Sequence, residues 1–330
     1  MTADASKQTV RIPADQVNYL IETAARAPSV HNTQPWRFQA SDCAIDLYAD
    51  PTRKLRVDRD GREMVISCGA ALFGLRLAVR SLGYLPLVEP FPDPPRLRLL
   101  ARVRMGKAVP MTTLERQMLK ALPYRHTHRG AFAAGPLPAG LLSGLQHDAL
   151  AEGATLALID RAVAYQRLAD ITSAADRQQH YDLTVREEIR RWSRDADDPA
   201  HDGVPAAAFV ARTGREPGRL PQRDFDLGRS LGLLSAEGPP PAATAVLLTT
   251  GDRRADWLRA GQALQRVLAH AAATWVFASL HTQPLENASI RALIRDRLAL
   301  PGAPQMVMQL GVSHSAHSTA RRAPDDLIEP

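Results

Sequence analysis

Cysteine is nearly absent from this 330-residue chain: Cys43 and Cys68 are the only two, and they form no CxxC pair. That excludes a disulfide framework and a structural zinc knuckle, and predicts two reduced, partly buried thiols, Cys43 at a strand edge and Cys68 in an apolar helix. Lysine is scarce too, with four among the 41 basic residues, and the arginines are scattered rather than gathered into a stripe. Scatter argues against a nucleic-acid surface despite the net charge of +6, although a basic surface can still draw in an anionic ligand. No window approaches about eighteen uninterrupted apolar residues, and MTADASKQTV lacks a basic stretch followed by an apolar run. Neither a membrane span nor a secretory leader is expected, and the expected location is cytoplasmic. The phosphate loops GxGxxG and GxxxxGK(S/T) are missing, as is the GxSxG turn, which removes dinucleotide-Rossmann, P-loop and serine-hydrolase readings. His126 with His128, and His314 with His317, have no clustered carboxylate or cysteine, so no metal site is expected.

What the chain has is apolar residues, 45% of the total, enough at this length to bury one large core or two joined ones. Residues 13–26 predict a first helix, with Val17, Leu20, Ile21 and Ala24 at helical spacing and Pro28 ending the run. Strands are expected at 36–40 and 44–49. A long apolar helix within 61–83 carries Met64, Cys68, Ala71, Leu72, Leu75 and Val79. Residues 96–105 alternate Leu97, Leu99, Ala101 and Val103 with Arg96, Arg98, Arg102 and Arg104, the pattern of a half-solvated strand. A fresh start comes at Thr112, which with Glu115 makes a T-x-x-E capping box. Helix 112–122, helix 141–150, strand 155–159, helix 161–177, strand 244–250, helix 254–280 and strand 305–312 follow. Helices and strands alternate without the strict βαβ rhythm of a doubly wound sheet, so the expected class is α+β. Two units are expected, 1–110 and 111–330. The second carries an Asp-, Pro- and Gly-rich insert at about 178–241, with two helical stretches, which is either a lid over a ligand or a decorative excursion.

The densest stretch is ARAPSVHNTQPWRF, residues 25–38, between a helix and a strand. Ser29, His31, Asn32, Thr33 and Gln34 supply donors and acceptors, Pro28 and Pro35 stiffen the backbone, and Trp36 offers a flat apolar wall. Such a segment suits a planar heteroaromatic ligand with a hydrogen-bonding edge; it equally suits a capped, well-tied turn. In YRHTHRGAF, residues 124–132, Arg125, Thr127 and Arg129 alternate, so in an extended segment they project to one side and His126 and His128 to the other. Two guanidiniums around a hydroxyl make either a phosphate clamp, each charge-assisted bond contributing about 1.5–3 kcal/mol, or a solvated basic loop. Arg321 and Arg322 form a further basic pair in the C-terminal tail.

APSVHNTQPW resembles the APSxxNxQPW signature of the nitroreductase superfamily, and RAPSVHNTQPWRF is similar to its Acg-like branch. Further agreements run in order along nearly the whole chain: REMVISCGAAL, RHTHRG where the branch has R-x-T-N-R, DGVP, GDRRADWLRAGQALQRVL, QPLE, LPGAPQMVMQLG and the terminal Arg pair. The resemblance implies a nitroreductase fold, an FMN cofactor and a fused pseudo-dimer. In homodimeric members an RxSxR motif and C-terminal basic residues of one subunit hold the phosphate, while the APSxxN loop of the other contacts the flavin. Here the first half keeps the loop but has only Arg11 and Arg26 near its start, and the second keeps Arg125, Thr127 and Arg129 but lacks the loop. The resemblance therefore implies one FMN per chain, held between the halves of a monomer acting as a pseudo-dimer, or of a weak homodimer.

By the same resemblance Arg125, Thr127, Arg129 and Arg321 or Arg322 take the phosphate, with Arg26 counted beside them. Ser29, His31, Asn32 and Gln34 line the ring system, His128 stands where the branch has Asn, and Gln283 and Pro284 lie near the reactive edge. The cofactor carries the redox chemistry, so no catalytic residue is assigned. Two functions are implied: NAD(P)H-dependent reduction of a small electron-poor acceptor such as a nitro compound or a quinone, or sequestration of FMN beneath a lid.

Overall fold

A computed structural model describes residues 10–210, 219–235, 237–313 and 319–329. His314 and His317, and positions 211–218 and 236 of the insert, lie outside these residues. Helix α1 (Ala14–Ala25) follows Pro13 and buries Leu20, Ile21, Ala24 and Ala25. Strands β1 (Trp36–Ala40) and β2 (Ile45–Ala49) form an antiparallel hairpin. The 20-residue α2 (Arg62–Ser81) leads to β3 (Tyr84–Pro90) and β4 (Leu99–Ala108). These four strands make one antiparallel sheet in the order β1-β2-β4-β3.

The second part opens with α3 (Thr113–Ala121), where Thr112 and Glu115 make both bonds of the capping box. Then come α4 (Leu141–Ala151), β5 (Thr155–Leu158), α5 (Ala162–Tyr181) and α6 (Leu183–Arg191), the last capped by the Asp182 side chain. The two-residue strands β6 (Ser193–Arg194) and β7 (Val204–Pro205) pair in parallel within the insert. Strand β8 (Ala243–Thr249), the 20-residue α7 (Arg254–Ala273), β9 (Val276–His281), α8 (Ala288–Arg297) and β10 (Ala303–Val312) complete the fold. The second sheet runs β5-β8-β10-β9, again antiparallel, and the class is α+β.

The same order of strands, first-second-fourth-third, thus occurs twice, each time with a 20-residue helix between the second and third strands. Those two helices pack against each other at Gly69 and Gly261, which occupy the same place in each. A Cβ on Gly69 would lie 2.3 Å from the Leu258 carbonyl oxygen, and one on Gly261 would lie 2.0 Å from that of Ile66, so only glycine permits this approach. Helix α2 is long and apolar enough by composition to cross a membrane, but 83% of its apolar window is buried in the core. Leu72 and Leu75 are fully buried there, each such side chain contributing about 1.5–3 kcal/mol. After β10 the chain crosses back to the first sheet: Phe38 donates its N–H to Leu327 (2.8 Å), and Glu329 donates to Phe38 (2.7 Å), beside β1.

Several expectations about elements are corrected. The helix read over 254–280 stops at Ala273, because Trp275 adopts φ 59° and the apolar run beyond it is a strand; a continuous apolar segment does not reveal its period. The strand read over 96–105 begins at Leu99, since residues 93–99 form turns after a Pro-rich stretch and leave Leu97 68% exposed. Strand β3 and helix α8 had no expectation, α5 extends four residues past 177 to Tyr181, and Cys43 lies in the turn between β1 and β2 rather than on a strand.

Candidate functional site

Between α1 and β1 the chain must turn within a few residues while two prolines limit its freedom. His31, Asn32 and Gln34 absorb the turn with φ of 54°, 54° and 50°, a region in which non-glycine residues need local compensation. That compensation is visible. The Ser29 hydroxyl accepts the Gln34 N–H at 2.9 Å. The Asn32 amide donates to the carbonyls of Gly203 (3.0 Å) and Ala320 (3.1 Å), and Gln34 donates to the His201 carbonyl (2.8 Å) while accepting the Arg322 N–H (3.0 Å). Asn32 and Gln34 therefore tie the loop to the insert and the C-terminal tail. Trp36, expected as a wall for a ligand, is fully buried in the hydrophobic core instead.

The loop faces a cavity of about 780 Å³, counting its open mouth, lined by Ser29 and His31, by Arg62, Glu63 and Ser67 of α2, and by Thr127, His128 and Arg129. Ser279, Thr282, Gln283 and Gln305 contribute from the second sheet and its loops, and Gln222, Arg223 and Phe225 from the insert. Its mixed apolar and polar lining is that of a small-molecule site. Several buried polar atoms on this wall have no partner among the described residues: both ring nitrogens of His31, Oε2 of Glu63, Nη1 of Arg223 and Nε2 of Gln283. Such atoms are costly when left unmade, and a bound polar ligand would satisfy them. His31 sits edge-on to Phe225 at 5.2 Å. Burial, then Arg223 and Arg129, push its pKa well below the ordinary imidazole range, so the ring is neutral at physiological pH.

Beyond one edge of this cavity the arginines gather. Thr127 bridges to Ala278 of β9, and the His128 N–H donates to the Ala278 carbonyl at 2.8 Å, which holds the segment extended. Arg125 is buried, donates to the Arg26 carbonyl at 3.2 Å, and has no partner for Nε or Nη1 among the described residues. Arg321 donates to the carbonyls of Ala25 (2.9 Å) and Ala27 (3.3 Å). The Arg129 guanidinium lies over the Phe225 ring at 5.2 Å. Burial lowers Arg125 to about 10; burial and Arg223 lower Arg129 to about 10; burial, then Arg125, Arg26 and Arg129, lower Arg321 to about 9. All three stay charged at neutral pH, and no carboxylate pairs with any of them among the described residues. Arg125 is buried and Arg129 and Arg321 are half-buried, and such a cluster of like charges without a counterion is unfavourable unless an anion joins it. Arg26 is partly engaged by Glu22 at 2.8 Å.

The remaining candidates separate. Arg322 belongs to a different neighbourhood, with Arg53, Arg37 and Asp50, so of the two tail arginines it is Arg321 that stands by Arg125. His128, expected on the side opposite the arginines, also lines the cavity, placed by a 2.9 Å contact from Nε2 to the Ala131 carbonyl and by stacking on Phe132 at 4.4 Å; His126 packs on Phe277 at 4.5 Å instead. Gln283 reaches the cavity, whereas Pro284 is buried in the short helical turn beside it.

The insert lies across this site. Asp202 pairs with Arg53 and Arg194, and Glu188 accepts the backbone N–H groups of Arg56 (2.5 Å) and Val57 (3.3 Å), fastening it to the first unit. On the other side Arg223 pairs with Glu286 and donates to the Thr282 hydroxyl at 3.2 Å. Arg223, Phe225, Arg62 and Glu63 had no place in the sequence-based site. A usable signal existed only for Arg62 and Glu63, two charges opening a helix that carries no further charge until Arg76. Among the described residues no cluster of His, Cys, Asp and Glu is built to hold a metal ion.

The model of the nitroreductase family matches residues 7–50, the span that contains the loop. The chain is 33% identical over 305 residues to a protein of Mycobacterium tuberculosis (strain ATCC 25618 / H37Rv) provisionally named NAD(P)H nitroreductase Rv3131, covering 90% of this chain and 85% of that one. It is 28% identical over 323 residues to the same organism's acg, provisionally an NAD(P)H nitroreductase, covering 96% of each. Among solved structures it is similar to a nitroreductase with bound FMN from Desulfitobacterium hafniense DCB-2, with a TM-score of 0.41, 13% identity, and coverage of 67% of this chain and 99% of that one.

Proposed function

Since this chain belongs to the nitroreductase family, we propose that it binds one FMN in the cavity lined by the loop after α1, the start of α2 and the second sheet, and uses NAD(P)H to reduce a small electron-poor acceptor, a nitro compound or a quinone. In this reading residues 1–110 and 111–330 act as the two members of a dimer joined in one chain, meeting at Gly69 and Gly261. The observation that carries it is the cluster of buried Arg125 with half-buried Arg129 and Arg321, which has no carboxylate partner among the described residues and stands beside a cavity whose wall holds unpartnered polar atoms.

The residues present fit the cofactor. Arg125, Thr127, Arg129 and Arg321 would hold the phosphate, with Arg26 at the margin. Ser29, His31, His128 and Gln283 would meet the ring system, and Asn32, Gln34, Pro284 and Arg322 would hold the loop and tail in place. When bound, FMN supplies hydride and single-electron transfer; the chain's own residues bind, orient and exclude water. Neutral His31 offers one donor and one acceptor. Positive charge from Arg129 and Arg223 favours an electron-rich ring system at this wall.

A second reading, sequestration of FMN with little turnover, is favoured by one specific feature: Gln222, Arg223 and Phe225 line the cavity, and Arg223 is tied down by Glu286 and Thr282. An anaerobic titration of the flavin-loaded protein with NADH and NADPH separates the two. Rapid bleaching of the flavin absorbance is the expected result for a reductase, whereas a flavin that stays oxidised supports sequestration and overturns the reductase.

A further inference from the structure

The wall formed by the start of α2 carries a group that the reading above does not use. Glu63 is 2% exposed, lines the cavity, and has an oxygen, Oε2, with no partner among the described residues. Its backbone is fixed from both sides: its N–H donates to Asp58 at 3.0 Å, and its carbonyl accepts the Ser67 hydroxyl at 2.8 Å. These bonds fix where the side chain leaves the helix, at the cavity wall. The cations around it are committed elsewhere. Arg62 donates to the carbonyl and side chain of Gln305 (3.0 and 2.9 Å) and to the Leu285 carbonyl (3.3 Å), approaching Glu63 only at 3.4 Å. Arg223 pairs with Glu286, and Arg291 of α8 pairs with Asp252.

We propose that Glu63 is the hydrogen-bond-donating acid of this cavity, a neutral carboxyl that presents its proton to an acceptor atom, a carbonyl oxygen or ring nitrogen, of the bound flavin. The proposal rests on the flavin reading of the cavity. Its physical logic is that of a carboxyl closed off from water whose one nearby cation, Arg62, stands at 3.4 Å and is shared with Gln305 and Leu285; such a carboxyl keeps its proton and so becomes a donor, a role no ionised carboxylate can fill. The charged groups facing it are Arg62 on its own helix, Asp58 in the preceding loop, Glu286 in the turn after β9 and Arg223 from the insert. Burial acts first and the charge of Glu286 second, and both hold the proton on. Across the cavity His31 is neutral as well, so the flavin would meet two uncharged groups there.

The test compares wild type, Glu63→Gln and Glu63→Ala. Each is measured for FMN affinity by flavin fluorescence across about pH 6 to 8, and flavin-free wild type is examined at neutral pH for the infrared carbonyl band of a protonated carboxyl. The amide keeps a donor in the same place, so Glu63→Gln should bind FMN within about threefold of wild type, while Glu63→Ala should weaken binding about tenfold. Wild-type affinity should show no step from this carboxyl in that range, and the infrared band should vanish in Glu63→Gln. Equal weakening by Gln and Ala, or three proteins that bind alike, overturns the proposal. If wild type itself binds no FMN, the flavin reading fails on its own. The infrared band, which needs neither flavin nor a variant, still decides whether Glu63 holds a proton, and its absence overturns the proposal in either case.

Discussion

Each of the two sheets is reached from a helix, and the two connecting segments differ in length and in what they carry. From α1 to β1 the chain spends residues 26–35, with three non-glycine residues at positive φ and side chains that reach the cavity, the insert and the tail. From α4 to β5 it spends only residues 152–154, a tight turn at Gly153 with no such equipment. The helices that follow differ in the same sense. Helix α2 opens with Arg62 and Glu63, both buried at the cavity, whereas α7 opens with Arg254 and the exposed Ala255. Two sheets with one strand order thus carry unlike loops, and the candidate site is lined by the loops and the start of α2 rather than by what the two sheets share. This asymmetry is the basis for expecting one site and not two.

The comparison can be broken most severely at the arginine cluster. Replacing both Arg125 and Arg129 with Ala removes charge-assisted contacts to a phosphate and should weaken FMN binding at least about a hundredfold by equilibrium titration. Because Arg125 is buried and Arg129 half-buried, neither with a carboxylate partner among the described residues, the flavin-free double variant should melt no lower than wild type. Arg11→Ala, near the start of the first unit and exposed against Asp42, should leave flavin affinity unchanged. Retained flavin in the double variant would refute the phosphate role.

Next in size is the seam between the units. Gly261→Val places side-chain atoms against the Ile66 carbonyl, and overpacking of this kind costs about 1–3 kcal/mol or more. A melting temperature lower by about 5 °C is expected by calorimetry, with flavin loss following unfolding. An unchanged melting point would mean that the helices can separate freely. Smaller again is Arg223→Ala, which releases the insert from Glu286 and should speed FMN dissociation about tenfold in stopped flow. If the insert merely decorates the surface, the off-rate will not move.

The subtlest effect concerns pH. Burial raises the Glu63 pKa in the folded chain, so this group's contribution to stability is fully present below the unfolded glutamate value of about 4.3 and is lost as pH rises above it. Glu63→Gln removes that dependence. Its melting temperature relative to wild type should therefore increase between about pH 4 and pH 8, by a few degrees; a gap that narrows with rising pH would contradict the assignment.

Much of this arrangement was legible in the residues because its signals are local. The loop is dense in donors between two prolines, Arg125, Thr127 and Arg129 alternate, and Thr112 with Glu115 announces a helix start. What escaped depends on contacts distant in sequence. Arg223 and Phe225 sit in a Pro- and Gly-rich insert without periodicity, and only the fold brings them over His31. Glu63 is buried by elements distant in the chain, among them the turn that carries Glu286. The choice between Arg321 and Arg322 turns on which neighbourhood each side chain enters, a matter of geometry that adjacent identical residues conceal. Likewise the end of α7 rests on Trp275 at positive φ, which no apolar count discloses.

The most direct test of the central claim is a count of flavins. Protein saturated with FMN, freed of excess by desalting, and assayed for flavin and polypeptide should contain one FMN per chain. Two per chain would mean that the second unit's loops also build a site, and none would mean that the arginine cluster serves something other than FMN.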